Sequence, residues 1–378
     1  MGAADPLIAA AASELAARAE RELEALVAIS SPSGDVDAAE EAVALCVALL
    51  PAQAQVERVP CSTPGGAPDL VARISGRGQR RMLLLGHLDT VVGHAAHARL
   101  RREGDQLYGP GTADMKGGVA LALGLARALA AQPERFAELA LLLVTDEEWR
   151  IAPFAHVERF AGYDVCLCFE AGERREQGDG VVVRRKAAAT LRVQAQGRAA
   201  HSGSAPDHGR NALLALASAA LTVAGRHDPT GEDRLTVVPT VLRAGEALNV
   251  VPAEGELTFD LRADRLAAFS AVLEAVPGEV DGVSLSATLL REWPGMDSSA
   301  QTAGLLSRAA QRLGRAVVGV PRGGASDASH FATSIPITID GLGPRGGGAH
   351  TPDEFVLASS LRERAEVALA VAESALEH

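Results

Sequence analysis

The stretch LLLGHLDTVV, residues 83–92, decides the fold, because a continuous apolar run ends there in two polar side chains. Such a run predicts a strand buried on both faces, as in a parallel sheet. His87 and Asp89 are two residues apart, so an extended chain points both to one face. One can bind a metal while the other orients it, although an isolated pair of this kind also occurs in ordinary protein cores.

A second stretch, LYGPGTADMKGG at 107–118, places a carboxylate where function is expected. Asp114 lies in a turn rich in glycine and proline, just before a predicted helix at 115–131. Open α/β sheets place their sites at the carboxyl ends of strands, beside such turns. Asp114 therefore joins His87 and Asp89 as a candidate site residue.

Further buried strands are predicted at 139–145 and 164–169, and acidic residues follow each one. The first is followed by Glu147 and Glu148, and the second by Glu170. Alternation of strands and helices is the signature of a mainly parallel α/β sheet. The remaining elements predicted for this fold are helices at 12–30, 36–50, 151–160, 299–313, 327–332 and from 357, with strands at 69–76, 316–320 and 335–339.

The pattern changes in the middle of the chain, which indicates an inserted domain. The predicted order there is strand, helix, strand, strand, helix, strand, at 181–197, 211–225, 235–244, 254–262, 266–276 and 283–290. This order is typical of a ferredoxin-like α+β domain. We therefore predict a discontinuous α/β catalytic domain, 1–187 and 299–378, and an inserted domain, 188–298, with hinges near its two ends.

Composition excludes several classes of protein. The net charge of -12 argues against a nucleic-acid partner held by a broad basic surface. Four scattered cysteines do not make a disulfide framework and are expected to be reduced thiols in the cytoplasm. No apolar run is long enough to span a membrane, and the first residues lack the basic region of a signal peptide.

The polar groups at the predicted strand ends form one mixed nitrogen and oxygen donor set: His87, Asp89, Asp114, Glu147, Glu148, Glu170 and, late in the chain, His350. Such a set suits zinc or a similar divalent ion. Taken alone, the acidic pair would be interpreted as a solvated turn. The placement of each member at a separate strand end or turn favours a metal site.

An ordered series of motifs adds a resemblance to a known family. The motifs are GHLDTV, EGDQLYGPGTADMKGG, VTDEE, CFEAGE, GRAAHSG, ALNVVPAEGEL, GGASDASHF and DGLGPRGGGAHTPDE. Together they resemble the di-zinc aminoacylase and carboxypeptidase family, which includes glutamate carboxypeptidases of the folate-cleaving type, acetylornithine deacetylases and succinyl-diaminopimelate desuccinylases. The resemblance covers the chain from about residue 69 to its end.

The resemblance implies a metal centre with two Zn²⁺ per subunit, with Co²⁺ or Mn²⁺ as alternatives. His87 and Glu170 would bind one ion, Glu148 and His350 the other, and Asp114 would bridge both. The resemblance further implies that Asp89 orients His87, that Glu147 is the general base, and that the peptide bond from Asp114 to Met115 is cis.

The resemblance also implies substrate contacts and a homodimer in which the inserted domain acts as a lid and as the dimerisation domain. His201 would reach the other subunit's site and stabilise the oxyanion, although its sequence alone indicates a surface loop. The implied substrate-binding residues are Asn249, Arg262, Arg322, Gly324 and Ser326. An arginine fork suits a substrate carboxylate, while the alternative for Arg262 is a salt bridge on the strand surface.

Two segments depart from the family pattern. Residues 149–154, WRIAPF, replace the Gly/Ser-rich stretch expected after the acidic pair, so the pocket wall is expected to differ. Residues 93–98 carry His94 and His97 where an apolar loop with prolines is expected, and exposed loop histidines are the simpler interpretation.

The leading functional hypothesis is zinc-dependent hydrolysis of an amide or peptide bond next to a C-terminal amino acid with a free carboxylate, as in a glutamate carboxypeptidase. The substrate would be a small N-acyl amino acid or peptide. A biosynthetic N-acyl amino acid deacylase or desuccinylase is the alternative within this class. Two other classes stay open: nucleophilic catalysis by Ser326, Asp327 and His330, and a non-catalytic metal-binding protein.

Overall fold

The computed structural model describes residues 5–377, and these residues form two compact units. The first, called here the discontinuous unit, contains the described residues up to Arg184, then Met296–Arg322, and those from Ser326 onward. The second, called the inserted unit, comprises Arg185–Gly295 and Gly323–Ala325.

The helices of the described chain are α1 Pro6–Ala28, α2 Val36–Leu49, α3 Gly117–Ala130, α4 Ala212–Ala224, α5 Ala268–Glu274, α6 Ser299–Leu313, α7 Ala328–Phe331 and α8 Ala358–Leu376. Its strands are β1 Gln55–Val59, β2 Asp69–Ser75, β3 Arg81–His87, β4 Arg101–Glu103, β5 Gln106–Tyr108, β6 Glu138–Val144, β7 Val165–Cys168, β8 Glu173–Arg175, β9 Gly178–Arg185, β10 Ala187–Gln196, β11 Thr236–Ala244, β12 Glu254–Ala263, β13 Glu279–Val280, β14 Val283–Trp293, β15 Met296–Asp297, β16 Val317–Arg322, β17 Ile337–Ile339, β18 Gly346–Gly347 and β19 Phe355–Leu357. Among these described residues, no helix combines the length and the apolar character that crossing a bilayer requires.

A six-stranded sheet organises the discontinuous unit, in the order β1, β2, β6, β3, β7, β17. Pairing is parallel from β6 to β17 and antiparallel at the β1 and β2 edge. The central strand β3 is buried on both faces: Leu84 packs into one apolar cluster and Leu83 and Leu85 into another. The predicted buried parallel strand is thus confirmed, and its alternation of faces explains why no polar residue interrupts it.

The parallel register brings the carboxyl ends of three strands to one edge of this sheet. His87, the last residue of β3, pairs with Val144 of β6, and Leu85 pairs with Cys168 of β7. Chain segments that follow these strands therefore start side by side. The sheet places the residues after β6 and β7 next to His87, which is the condition for a shared site.

The inserted unit is an antiparallel sheet in the order β11, β12, β10, β14, β13, with the helices α4 and α5. Its core contains Leu191, Leu216, Phe259 and Phe269. The first four strands in this order and the two helices give the arrangement of a ferredoxin-like domain, so the prediction of an inserted α+β fold is confirmed.

Two predicted elements are wrong. Residues 151–160 were expected to form a helix, but they are irregular except for a short turn at Glu158–Phe160. Pro153 disfavours the helical conformation of Ala152, the residue before it. Residues 181–197 were expected to form one strand, but the structure has β9 and β10 in different sheets. The alternation of apolar residues continues through both strands, so the pattern does not reveal that the first strand packs in one core and the second in another.

Candidate metal centre

The centre begins with His87, which is buried at the end of β3. Its Nδ1 lies 3.0 Å from the backbone carbonyl oxygen of Asp89. Because a carbonyl oxygen only accepts, Nδ1 carries a hydrogen and donates it there. The other nitrogen, Nε2, therefore faces the carboxylates of Asp114 at 3.0 Å and of Glu170 at 3.8 Å. This orientation is the usual one for a histidine that binds a metal.

Asp114 lies between two histidines and presents a different oxygen to each. Its Oδ1 is 3.0 Å from His87 Nε2, and its Oδ2 is 3.1 Å from His350 Nε2. His350 Nε2 also lies 3.1 Å from Glu148 Oε1. Donor atoms of His87, Asp114 and Glu148 all fall within 4.8 Å of one another. Asp114 therefore presents one carboxylate oxygen to each of two further donor groups.

The backbone around Asp114 is fixed by a carboxylate from far along the chain. Glu354 accepts hydrogen bonds from the N–H groups of Gly111, Ala113 and Asp114 at 2.7 to 2.8 Å. The Asp114–Met115 peptide bond is cis, as the resemblance implied. Gly118, at the start of α3, allows close packing, since a Cβ there would lie 1.8 Å from the carbonyl oxygen of Phe169, one residue before Glu170.

Asp89 fixes the acidic turn that follows β6. Its carboxylate accepts the backbone N–H groups of Glu147 and Glu148, each at 3.1 Å, and the hydroxyl of Ser33 at 3.0 Å. Toward His87 its nearest atom is the carbonyl oxygen, while the carboxylate Oδ1 is 3.5 Å away. Asp89 therefore orients both the histidine ring, through its backbone, and the acidic turn, through its side chain.

The electrostatics of the cluster favour a cation. Burial, together with the nearby charge of Asp327, raises the pKa of Glu147 to about 8. Burial likewise raises the pKa of Glu148 to about 7, and it raises the pKa of Glu170 well above its ordinary value. Crowded, desolvated carboxylates of this kind ionise readily only beside positive charge. The oxygen and imidazole donors present therefore fit divalent ions such as zinc.

His350 occupies the exposed side of the cluster. Its backbone has a φ of 66°, in the left-handed region that residues other than glycine rarely adopt. The hydrogen bond to Asp114 raises the pKa of His350 to about 9 despite partial burial. The side chain is thus held by the carboxylates that face it.

Three predicted substrate-binding residues lie near β16 and α7. Arg322 donates from Nη1 to the carbonyl oxygen of Ala171 at 2.7 Å. In the inserted unit, the carbonyl oxygen of Gly324 accepts from Arg185 at 2.7 Å. Ser326 is buried, with its Oγ 3.8 Å from the sulfur of Cys168. Each of these residues therefore has protein groups as its nearest polar partners.

The other predicted contacts lie in the inserted unit and are more accessible. His201 and Asn249 are exposed, and the carbonyl oxygen of Asn249 accepts from Ser202 at 2.9 Å. Arg262 forms a two-pronged ion pair with Asp260 at 2.9 and 3.0 Å. This pair is the surface salt bridge that the sequence left as an alternative for Arg262.

Sequence reasoning missed Ser33, Glu354 and Arg150 as supports of the centre. Glu354 follows His350 in the motif HTPDE, so its closeness to a metal ligand was a usable signal. Ser33 and Arg150 carried no such sequence signal, because Ser33 bonds Asp89 and Arg150 bonds Asp327, both from distant segments. In the loop 93–98, His94 bonds the hydroxyl of Ser30 and the carboxylate of Asp35 at 2.8 and 2.9 Å.

Comparisons with known proteins agree with this geometry. The chain is 30% identical over 314 residues to carboxypeptidase G2 of Pseudomonas sp. (strain RS-16), covering 78% of this chain and 74% of the relative. It is 31% identical over 313 residues to a succinyl-diaminopimelate desuccinylase of Xylella fastidiosa (strain M12), covering 76% and 81%. The structure of a metallo-carboxypeptidase from Sulfolobus solfataricus matches with a TM-score of 0.73 at 15% identity, covering 95% of this chain and 99% of that one, which supports the fold.

The family model described as peptidase family M20/M25/M40 matches residues 83–374, most of the chain and all of the residues that form the cluster. The resemblance drawn from the motifs is therefore confirmed. The chain belongs to peptidase family M20/M25/M40 and is a metal-dependent hydrolase of amide bonds.

Proposed function

We propose that this protein is a di-zinc hydrolase that cuts the amide bond next to a C-terminal amino acid with a free carboxylate, with acyl-glutamate as the leading substrate class. The observation that carries the proposal is the position of Asp114, whose two oxygens face two different histidines. Similarity to carboxypeptidase G2 supports a carboxypeptidase activity.

The proposed ligand sets follow from the contacts around this bridge. His87 and Glu170 would hold one ion, since Glu170 Oε1 lies 3.8 Å from His87 Nε2. His350 and Glu148 would hold the other, since their donor atoms are 3.1 Å apart. We propose two Zn²⁺ per subunit, with Co²⁺ or Mn²⁺ able to replace them.

The chain's own residues then supply proton transfer and orientation. When bound, the two divalent ions would acidify a water molecule and polarise the substrate carbonyl. Glu147 takes a proton from the attacking water on its carboxylate and passes it to the leaving nitrogen. Burial raises the pKa of Glu147 in the metal-free chain, and positive charge beside it would favour the carboxylate form that accepts the proton. Asp89 holds the backbone of Glu147 in place through its carboxylate.

His201 is proposed to stabilise the oxyanion in the site of a second subunit. Its Nδ1 accepts from the backbone N–H groups of Gly203 and Ser204 at 3.1 and 3.2 Å. A neutral ring therefore carries its hydrogen on Nε2, as a donor to an oxyanion must. The exposed position of His201 suits a residue that acts outside its own unit.

A homodimer is proposed through an apolar face of the inserted unit. The strand β11 is at an edge of its sheet, where unpaired backbone groups favour pairing with another strand. Large apolar side chains are exposed on β11, on α4 and on the loop after β11. They are Val238, Val241 and Leu242 on the strand, Leu214 and Leu221 on the helix, and Leu248 in the loop. A second copy of the chain would cover this face. The inserted unit would then act as the dimerisation domain and as a lid.

The remaining substrate contacts are proposed at Asn249, Arg262, Arg322, Gly324 and Ser326. An arginine freed from its surface partner would bind the substrate carboxylate with both prongs of its guanidinium. The pair between Arg262 and Asp260 is partly exposed, so exchanging it for a substrate carboxylate would cost little. A cytoplasmic location is also proposed, supported by four cysteines that form no disulfide.

The alternative function is a biosynthetic deacylase or desuccinylase, which the similarity to succinyl-diaminopimelate desuccinylases supports. The serine nucleophile has less support, because the atoms it would use have other partners. Ser326 Oγ accepts from the N–H of Ala328, and Asp327 pairs with Arg150. A non-catalytic metal-binding protein would not need a buried carboxylate in the position of Glu147.

The test is a hydrolysis assay on N-acyl derivatives of glutamate, diaminopimelate, ornithine and apolar amino acids, before and after metal removal. We expect glutamate release that stops on chelation and returns with Zn²⁺. Activity confined to the diamino products would favour the desuccinylase alternative, and chelator-resistant activity would contradict both. The variant Glu147→Gln is expected to retain its metals and lose turnover by about 10³-fold, which a binding protein would not show.

A further inference from the structure

We propose that Arg150 is a positioning residue that fixes the turn carrying Glu147 by pairing with a carboxylate at each of two chain segments. The proposal rests on the proposed function, in which Glu147 moves the proton. Arg150 belongs to the segment 149–154, which departs from the family pattern and whose role the mechanism above leaves open.

The side chain of Arg150 is buried and closes the acidic turn on itself. Its exposed fraction is 1%, among the lowest of any charged residue in the described chain. Nη1 donates to Asp146 Oδ1 at 2.8 Å, and the backbone N–H of Arg150 donates to the carbonyl oxygen of Asp146 at 2.9 Å. Glu147 and Glu148 lie between these two residues. The turn is thus held by one backbone bond and one charged side-chain bond.

The second prong of the guanidinium ties this turn to another segment. Nη2 donates to Oδ1 of Asp327, the residue just before α7. Asp146 in turn accepts the backbone N–H of Thr63 through Oδ2 at 2.8 Å. Arg150 is therefore the centre of a buried link that joins the loop at Thr63, the acidic turn and the start of α7. Displacement of the turn would break charged hydrogen bonds at both of its ends.

An aromatic stack covers the guanidinium. The Arg150 guanidinium lies 4.7 Å from the ring centre of Phe154, and Phe154 stacks on His330 at 4.8 Å with an angle of 20° between the rings. Contacts of a cation with an aromatic face stabilise it where water is excluded. The segment 149–154 thus supplies both the cation and its cover. His330, which the sequence offered as part of a nucleophilic group, completes this cover.

The expected consequence of removing the cation follows from its surroundings. Two buried carboxylates, Asp146 and Asp327, would lose the charged hydrogen bonds to their shared partner, and the segments that carry them would no longer be tied together. Glu147 would shift with the turn. A displacement of about 1 Å at a reacting group can cost about 10²-fold in rate. Arg150 makes none of the proposed metal or substrate contacts, so this loss is expected in kcat rather than in KM.

The experiment compares Arg150→Gln, Arg150→Lys and a matched control in the holoenzyme. The control is Arg159→Gln, which removes an exposed arginine nine residues further along the chain. Arg159 pairs with Glu57 at 3.2 Å. We expect Arg150→Gln to lower kcat about 10²-fold with KM within about 3-fold and with the metal content unchanged. Arg150→Lys restores the charge without the fork and is expected to recover part of kcat. The control is expected to match the wild type.

An Arg150→Gln enzyme with kcat within about twofold of wild type would overturn the proposal, as would a loss of kcat explained by lost metal. Should Arg150→Gln not fold, Asp327→Asn removes one carboxylate charge and keeps the pair of Arg150 with Asp146. An unchanged kcat in Asp327→Asn overturns the proposal equally.

Glu147→Gln separates the proposed role of Glu147 from that of Arg150. If it keeps wild-type turnover, the proposed role of Glu147 fails, whereas an inactive Glu147→Gln beside a fully active Arg150→Gln rejects the role of Arg150 alone.

Discussion

The metal centre of the discontinuous unit and the predicted substrate contacts of the inserted unit differ in how their side chains are held. In the centre, Asp114 bonds His350 and Glu354, and the backbone of Glu147 bonds Asp89, all of them distant in sequence. In the inserted unit, the side-chain bonds of two predicted contacts are local: His201 bonds Gly203 and Ser204, and Arg262 bonds Asp260. The first set is fixed by the fold, and the second set is left accessible.

This difference follows from what each set must do. Carboxylates that bind a cation with defined geometry are best held in place by the fold before the ion arrives. Groups that bind a substrate or a second subunit must stay open to solvent until the partner is present. One chain therefore supplies all of the proposed metal ligands, whereas the roles proposed for the inserted unit's residues require a substrate or a second subunit.

The largest expected effect is that of His201→Ala, a variant that tests whether His201 acts between subunits. Loss of one oxyanion donor should lower kcat of His201→Ala about 10²-fold or more, with the metal content unchanged. Mixing His201→Ala with Glu147→Gln should restore activity, because a mixed dimer has one site with an intact Glu147 and an intact His201 from its partner. When equal amounts of the two variants reassociate at random, half of the dimers are mixed and each has one active site of two. This predicts about a quarter of wild-type activity, measured as the hydrolysis rate after dissociation and remixing.

The matched control for this experiment is His208→Ala, since His208 is also exposed in the loop that follows His201. It should be fully active alone. Mixtures that stay as inactive as the separate variants would show that His201 does not act across a dimer, and the comparison between the two regions would then need another explanation.

A smaller effect is expected from Glu354→Gln, which probes the long-range support of the centre. Three backbone N–H groups point at the carboxylate, and the amide NH₂ of glutamine would oppose at least one of them. Such supporting groups commonly change metal affinity by about 10- to 100-fold. We therefore expect a higher metal dissociation constant in a Zn²⁺ titration, with kcat near wild type once metal is saturating.

The neighbouring Asp353→Asn serves as its control, because Asp353 is exposed and one residue away. It should bind Zn²⁺ as the wild type does. Equal metal affinity in Glu354→Gln would mean that the fold holds Asp114 without this carboxylate, so the centre would be less dependent on distant contacts than the structure indicates.

The parts of the fold and site that could be predicted from sequence are those encoded locally. The apolar run 83–85 specifies a buried strand, and the residue that ends it, His87, is then placed at the sheet edge by general rules. The parallel arrangement brings the chain after Val144 and after Cys168 to the same edge. Motif order supplied the later member, His350, which strand patterns alone do not place.

What could not be predicted depends on contacts between distant segments. The role of Arg150 is not visible in the sequence, because its partner Asp327 lies 177 residues away. Alternation of apolar residues at 181–197 does not show which core each residue enters, so two strands looked like one. The contacts of Phe154 and His156 outweigh the helical pattern at 151–160, since His156 bonds Asp69 at 2.7 Å. Local patterns carry no information about such partners.

The smallest expected effect concerns the pH dependence of stability without metal. Burial raises the pKa of Glu147 to about 8 and of Glu148 to about 7. The folded state therefore holds these two protons more tightly than the unfolded state, and the stability gained in this way is lost as pH rises toward those pKa values. His350, with its pKa raised to about 9, loses stabilisation in the same direction. We expect the Tm of chelated protein to fall by a few degrees from pH 5.5 to about 8.5, and the metal-loaded Tm to fall less, because metal binding strengthens as ligands deprotonate. Chelated Glu147→Gln should show a shallower fall, and identical slopes with and without metal would contradict a centre built around buried carboxylates.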